Sequence, residues 1–205
     1  MLKAHAITLE RGGKKLFSDL TLEISAGQLL RISGKNGSGK SSLMRLLCGL
    51  LSPLQGRVTW NDYPIAKDRE SLHASLIYLG HTAALKGDLT AVENLIAIEA
   101  FTGHNISAQS AHQALHQAGL GSLARRMVRT LSQGQKQRVA LARLWLDQRR
   151  PLWLLDEPFN ALDQEANLNL QKQIRMHLAG GGMVALSSHQ ALDLDQMPET
   201  LHLAL

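Results

Sequence analysis

Gly34-Lys35-Asn36-Gly37-Ser38-Gly39-Lys40-Ser41-Ser42 matches the phosphate-loop pattern G-x-x-x-x-G-K-[ST] at every fixed position. Before it, residues 28–33 read as a short strand. After it, residues 42–50 read as a helix with an apolar face. A strand, a glycine-rich turn and a helix N-terminus make an anion cradle. Gly34, Gly37 and Gly39 allow backbone conformations that a Cβ disfavours. The N–H groups of Lys35, Asn36, Ser38 and Ser42 then join the positive end of the helix dipole around a phosphate. Lys40 supplies a full charge at the β/γ-phosphates, and the Ser41 hydroxyl is placed to coordinate Mg²⁺. A chance glycine-rich turn is the plain alternative. The Lys-Ser pair at the helix start argues against it, so the stretch predicts nucleotide binding.

The chain has 205 residues, enough for one sizeable core or one core with a subdomain. Apolar residues make up 44% and charged residues 19%. The longest apolar runs, such as residues 152–155, are too short to span a bilayer, and residues 1–5 lack the apolar block of a signal peptide. A cytosolic protein is the expectation. Cys48 is the sole cysteine, which excludes an internal disulfide, and its apolar helix predicts a buried, inert thiol. The net charge is +5, from 22 Lys and Arg against 17 Asp and Glu, which favours acidic partners. The densest basic groups are Arg125-Arg126-Met127-Val128-Arg129 and Gln148-Arg149-Arg150. Neither is an arm or an aromatic-interleaved face, so both read as solvated surface and no nucleic-acid partner is expected.

Residues 4–10 and 20–25 read as strands joined by a turn at 11–15, with Leu20, Leu22 and Ile24 alternating with polar residues. Pro53 is the expected stop of the helix after the phosphate loop. Residues 56–60 and 63–65 flank Asn61-Asp62 as a hairpin, and 75–79 form another strand ending at Gly80-His81. From about 82 to 148 helical patterns dominate: one helix over 91–101, another capped by Ser107 and stopped by Gly119, and a third over about 136–146. Strand and helix then alternate, with strands at 151–156 and 183–188 and a helix over 164–178. The expected fold is α/β: a mainly parallel sheet core, an N-terminal antiparallel annex and a helical subdomain. It is one domain over 1–205, with 1–81 and 149–205 as the core and 82–148 as the insert.

Leu152-Trp153-Leu154-Leu155-Asp156-Glu157 is an apolar strand that delivers two carboxylates at its C-terminal end, where open α/β sheets bind ligands. Asp156 is placed to hold Mg²⁺ through water. Glu157 is the candidate base for an attacking water. Trp153 reads as core. Leu131-Ser132-Gln133-Gly134-Gln135 precedes a helix and by itself reads as no more than a serine cap.

The phosphate loop, L-S-x-G-Q, the strand ending Asp-Glu-Pro, Ala161-Leu162-Asp163 and Ser188-His189 occur in that order. The chain resembles the ATP-binding cassette (ABC) ATPases over essentially its whole length. The resemblance implies an ATPase using ATP and Mg²⁺. Lys40, Ser41 and the loop glycines would form the phosphate and metal site, with Asp156 as second metal carboxylate. Glu157 would be the catalytic base and His189 the switch histidine at the γ-phosphate. Ser132, Gln133, Gly134 and Gln135 would be the signature that closes on ATP held by a second copy, and Asp163 the loop residue linking the two sites. A head-to-tail homodimer is implied. Three positions depart from the family pattern. Gln133 stands where glycine is usual, Arg11 where an aromatic residue stacks on adenine, and His81 where glutamine reaches the metal water. A guanidinium can itself stack on a base.

Segments 80–81, 89–95, 142–146, 152–163 and 188–190 are similar to the ATP-binding subunit of bacterial cytochrome c maturation (haem exporter) systems. That implies a motor peripheral on the inner face of the cell membrane, docked on integral-membrane permease subunits. A soluble ABC ATPase of an assembly pathway, such as iron–sulfur cluster assembly, is the alternative. Nucleic-acid ABC proteins usually carry a coiled-coil insertion or tandem cassettes, and this sequence has neither.

Overall fold

The computed structural model describes residues 1–146 and 150–205. The chain opens with β1 (Leu2–Arg11) and β2 (Lys14–Ile24), followed by β3 (Leu29–Ser33) and α1 (Lys40–Leu47). Next come β4 (Gln55–Trp60), β5 (Tyr63–Pro64), α2 (Arg69–Ala74) and β6 (Leu76–Leu79). The helices α3 (Ala91–Phe101), α4 (Ala108–Gln117) and α5 (Gln133–Leu141) lead to β7 (Leu152–Asp156), α6 (Gln164–Ala179), β8 (Met183–Ser187) and β9 (Thr200–Ala204). An antiparallel sheet has the order β2-β1-β4-β5, and a second sheet has the order β6-β7-β8-β3-β9. Every neighbouring pair in the second sheet is parallel.

Side-chain alternation explains how the parallel sheet is covered. Leu152 and Leu154 face α1 and share a core with Leu43, Met44 and Leu47 and with Leu2, Ala4 and Ile7 of the annex. Trp153 and Leu155 face the other way, against Leu170, Ile174 and Leu178 of α6. Burial on both faces is why β7 and β8 are apolar almost without interruption. A third apolar cluster, around Leu95, Ala111, Leu115 and Val139, holds the helices of the central segment together. At the β4–β5 hairpin Asn61 and Asp62 have φ of 50° and 64°, the mirror-type turn that matches strand twist.

Several boundaries differ from the sequence expectation; the second strand, expected over 20–25 after a turn at 11–15, begins already at Lys14. Helix α1 stops at Leu47, well before Pro53. Gly49 takes φ 77°, and the N–H groups of Gly49 and Leu50 bond the carbonyls of Leu46 and Arg45. A left-handed glycine ends the helix before proline has any role. Helix α5 begins at Gln133, about three residues earlier than expected, so the Ser132–Gln135 segment is the helix's first turn. It tightens into a 3₁₀ turn over Ala142–Trp145. The short α2 was not anticipated; the Asp68 carboxylate caps it by accepting from Ser71 N at 3.0 Å.

Arg125, Arg126 and Arg129 are exposed as expected, but Arg150 is not solvated surface. It is 4% exposed and donates to Glu99 Oε2 at 2.5 Å, while Arg143 Nε donates to Glu99 Oε1 at 2.8 Å. A lone charge ahead of an apolar strand gave no pattern to read, and the buried acid that draws it in lies 51 residues away. Gln148 and Arg149 lie outside the described residues. Trp153 is fully buried and stacks on His177 with ring centroids 3.7 Å apart. Cys48 is 2% exposed, and burial pushes its thiol up to about 11, in keeping with an inert group. Among the described residues no helix is long and apolar enough to cross a membrane.

Candidate functional site

The parallel strands set the site. The phosphate loop follows β3, His81 follows β6, Glu157 follows β7 and His189 follows β8, so all four converge at the carboxyl edge of one sheet. A cavity of about 440 Å³ lies there. Its walls are Asn36, Gly37, Gly39, Lys40, Ser41 and Ser42 of the loop, with Arg11, Leu16, His81, Glu157, Asn160 and His189.

Gly39 is the N-cap of α1 and takes φ 113°; Gly37 takes φ 81°. At Gly34 a Cβ would stand 2.6 Å from the Leu205 carbonyl oxygen, so only glycine fits. Helix α1 has no side-chain cap and no acid in its first turn. Its leading N–H groups therefore remain available to an anion. Lys40 is 7% exposed, and its Nζ donates to the carbonyls of Gly34 and Lys35 at 2.9 and 3.2 Å. The loop's own backbone holds the ammonium across the cradle. Ser38 Oγ is buried with no partner among the described residues.

At the end of β7, Asp156 is buried and accepts from Ser187 Oγ at 2.7 Å. Glu157 leaves the strand with φ 53°, a conformation that non-glycine residues seldom adopt. Its N–H donates to both Ser187 O (3.1 Å) and Ser187 Oγ (3.0 Å), which hold that turn. The side chain is turned into the cavity wall, 7% exposed, and among the described residues neither carboxylate oxygen has a hydrogen-bond partner. His189 Nε2 lies 3.2 Å from Glu157 Oε1, close enough for an ion pair when the imidazole is protonated but not aligned as a hydrogen bond. A buried carboxylate without hydrogen bonds is costly, and cavities that hold one are built for a further ligand.

The structure thus gathers Arg11, Asn36, Gly37, Gly39 to Ser42, His81, Glu157 and His189 on one cavity, with Gly34, Lys35 and Ser38 in the loop beneath and Asp156 behind Glu157. The Ser132–Gln135 segment and Asp163 do not line it. Ser132 Oγ accepts from Gln135 N at 3.2 Å, and Gln135 Oε1 accepts from Ser132 N at 2.9 Å, a closed capping box. Gly134 packs so tightly on the Ala161 carbonyl that a Cβ would collide with it. Asp163 caps α6 by accepting from Ala166 N at 2.8 Å, with Arg138 Nη2 3.7 Å from its other oxygen. These residues form a second patch on the same chain.

Two residues of the site were missed from sequence. Ser187 carries both Asp156 and the Glu157 turn; its only sequence signal is a small hydroxyl closing an apolar strand. Asn160, three residues past Glu157, lines the cavity with no motif of its own to mark it.

The sequence profile of the family described as ABC transporter matches residues 17–160. The chain is 45% identical over 204 residues to a cytochrome c biogenesis ATP-binding export protein CcmA of Aromatoleum aromaticum, covering 100% of this chain and 95% of that protein. It is 43% identical to the protein of the same description from Pseudomonas aeruginosa, covering 95% of each. Among solved structures, the dimeric post-hydrolysis state of the ATP-binding cassette MJ0796 bound to ADP and Pi aligns with a TM-score of 0.83. That alignment covers 99% of this chain and 94% of that one at 24% identity, and so speaks for the fold. With a parallel sheet that carries a phosphate loop and an Asp-Glu pair to one edge, and with relatives matched end to end, the chain belongs to the ABC transporter family as one of its ATP-binding cassettes.

Proposed function

We propose that this chain is the ATP-hydrolysing motor of an export complex serving cytochrome c biogenesis, with haem as the cargo class, docked on integral-membrane permease subunits at the inner face of the cell membrane. The observation that carries the ATPase reading is Glu157, a buried carboxylate with no hydrogen-bond partner among the described residues, set by a left-handed backbone turn on the cavity that also holds Lys40 and Ser41. The export reading rests on the printed descriptions of the full-length relatives.

Lys40 would release its two loop carbonyls to bind the β/γ-phosphates, with the α1 N-terminus completing the cradle. Glu157 would accept a proton from the attacking water through its unpartnered oxygens, and His189, 3.2 Å away, would orient the γ-phosphate side. The donors Ser41 and Asp156 suit Mg²⁺. Ser41 would ligate directly and Asp156 through water, leaving the other positions to water and phosphate, as that ion prefers. When bound, Mg²⁺ would neutralise charge building on the phosphate oxygens. Arg11, on the rim, would stack on the adenine. The helical segment 82–148, with its own apolar cluster, would act as a signature subdomain distinct from the core of 1–81 and 149–205. Its Ser132–Gln135 turn would meet ATP held by a second copy in a homodimer, with Asp163 between the sites.

Glu157→Gln tests the central assignment. It keeps the shape of the site and removes the base. Turnover should fall about 10²–10⁴-fold, with nucleotide affinity, measured on the same preparation, near that of the parent. Near-normal turnover would remove Glu157 from the role of base.

A further inference from the structure

Arg31 is a charge in an unexpected place. It is the middle residue of β3, between β8 and β9 in the parallel sheet, and is 5% exposed. Leu30 and Ile32 point to the core under α1, so Arg31 shares the opposite face with Leu29, toward the side of the sheet covered by α6. From there it reaches the loop after β8. Its Nε donates to Asp195 Oδ1 at 2.9 Å and its Nη2 to the Gln190 carbonyl at 2.6 Å. Asp195 Oδ2 in turn accepts from Leu192 N at 3.1 Å, so one guanidinium and one carboxylate pin both ends of the 190–195 turn.

Gln190 is the residue after His189. Its N–H donates to Ser188 Oγ at 3.0 Å, its carbonyl is held by Arg31, and its side-chain oxygen accepts from Asn167 Nδ2 at 3.3 Å. His189 itself is half exposed and contacts only Glu157 Oε1 among these groups. Among the described residues the imidazole meets only Glu157, whereas Gln190 beside it is fixed through its N–H, its carbonyl and its side chain. The strand that supplies this clamp runs two residues further into the phosphate loop.

We propose that Arg31 is a positioning residue for His189. It locks the loop after β8 to the strand that carries the phosphate cradle, so that the imidazole and the bound phosphates share one rigid frame. The inference rests on the catalytic reading of His189 given above. A guanidinium suits the task because its planar fork serves a carboxylate and a carbonyl together, which an ammonium cannot do. A burial role alone would be met as well by an apolar residue of similar length, since a buried ion pair is weak evidence for stability.

The test compares the full-length parent with Arg31→Met, Arg31→Lys, Asp195→Asn and His189→Ala. Turnover of MgATP, equilibrium affinity for a fluorescent ATP analogue and amide hydrogen exchange are measured for each. Methionine fills the same buried volume, and the Asp195 carboxylate it abandons is partly solvated. Arg31→Met should lower kcat about 10- to 100-fold, the cost of a displaced catalytic group, with analogue affinity near that of the parent. Exchange should quicken in 188–196 and stay unchanged in 34–42. Arg31→Lys, able to keep one of the two bonds, should fall between. Parent-like exchange in 188–196, or a kcat loss matched by lost affinity, overturns the proposal. If Arg31→Met does not fold, Asp195→Asn decides by the same readouts, with a smaller loss expected and parent-like behaviour overturning it. His189→Ala separates the two layers: if it keeps parent turnover the catalytic reading of His189 fails, whereas loss there with none in Arg31→Met defeats the clamp alone.

Discussion

At the carboxyl edge of the parallel sheet, Glu157 keeps both carboxylate oxygens buried without hydrogen bonds and Ser38 keeps a buried hydroxyl unpartnered. At the start of α5, Ser132 and Gln135 satisfy each other completely in a capping box on an exposed surface. One region carries backbone strain and unmet polar groups; the other is a well-formed helix end that asks nothing of a ligand. The difference teaches where each motif does its work. Strain and orphaned groups accumulate where a ligand binds within the chain. A motif that is locally content and does not line that cavity needs something outside the chain to give it a role.

The sharpest way to break this comparison is Ser132→Arg. If the segment works only against ATP held by a second copy, a bulky cation there should leave nucleotide affinity intact and lower turnover about 10²-fold or more, as when a transition-state contact is removed. Lys40→Ala should do the reverse and abolish binding. Mixing the two variants should leave at most one competent composite site per heterodimer, read as partial recovery of ATPase. A Ser132→Arg protein that hydrolyses ATP normally on its own would end the shared-site picture.

The same contrast explains what could be read from sequence. The phosphate loop was legible because its glycines serve local geometry, and local geometry is written in consecutive residues. The apolar strands and the capped helices α3 and α4 were legible for the same reason. What escaped depends on distant partners. Arg150 needs Glu99, Glu157 needs Ser187, and Arg31 needs Asp195, 164 residues on. The end of α1 was misplaced because proline is the louder stop signal, while Gly49 acts first. The signature turn, ambiguous as five residues, acquired a family meaning only in the company of the other motifs.

Gly134→Ala sharpens the comparison from the side of the α5 start. A Cβ at that position collides with the Ala161 carbonyl, a residue already at φ 61°. Gly134 is therefore required within one subunit, whatever a second copy does. Overpacking at such a contact should cost about 1–3 kcal/mol, measured by denaturant unfolding. Ser132→Ala, which removes only the cap, should cost about 1 kcal/mol. Equal and negligible losses for both would mean that the α5 start and the 158–163 segment move apart freely. Gln137 Nε2, which donates to the Pro158 carbonyl at 3.4 Å, would then contribute nothing to holding them.

His81→Gln probes the cavity more gently. His81 lines the cavity at the position where the family resemblance leads one to expect glutamine, and both side chains offer an acceptor that a metal-bound water could use. Glutamine should therefore preserve most of the turnover at neutral pH, and His81→Leu should not. Similar rates for the parent, His81→Gln and His81→Leu would place His81 on the rim without a part in the reaction.

The smallest effect concerns pH and keeps the cavity's response distinct from that of the fold. His189 is exposed at the site, whereas His177 lies near the end of α6, away from that cavity, stacked on Trp153 with its Nε2 3.1 Å from the Pro151 carbonyl. Burial lowers the His177 pKa below its ordinary value, outweighing the hydrogen bonds to backbone that act in the other direction. The folded protein therefore resists protonation at this ring, while the unfolded chain takes up its proton near about pH 6.5. Below that pH the unfolded state binds more protons, so stability must fall as pH drops, until the folded-state value is passed and the loss levels off. The slope from one such group cannot exceed about 1.4 kcal/mol per pH unit. His177→Phe retains the ring stack, and Pro151 O keeps its bond from Met183 N, so the variant should fold. Its unfolding free energy should decline less between about pH 6.5 and 5 than that of the parent, with ATPase activity at neutral pH near that of the parent. Parallel stability profiles for parent and variant would show that His177 is free to charge within the fold, and any acid loss of activity would then belong to the cavity alone.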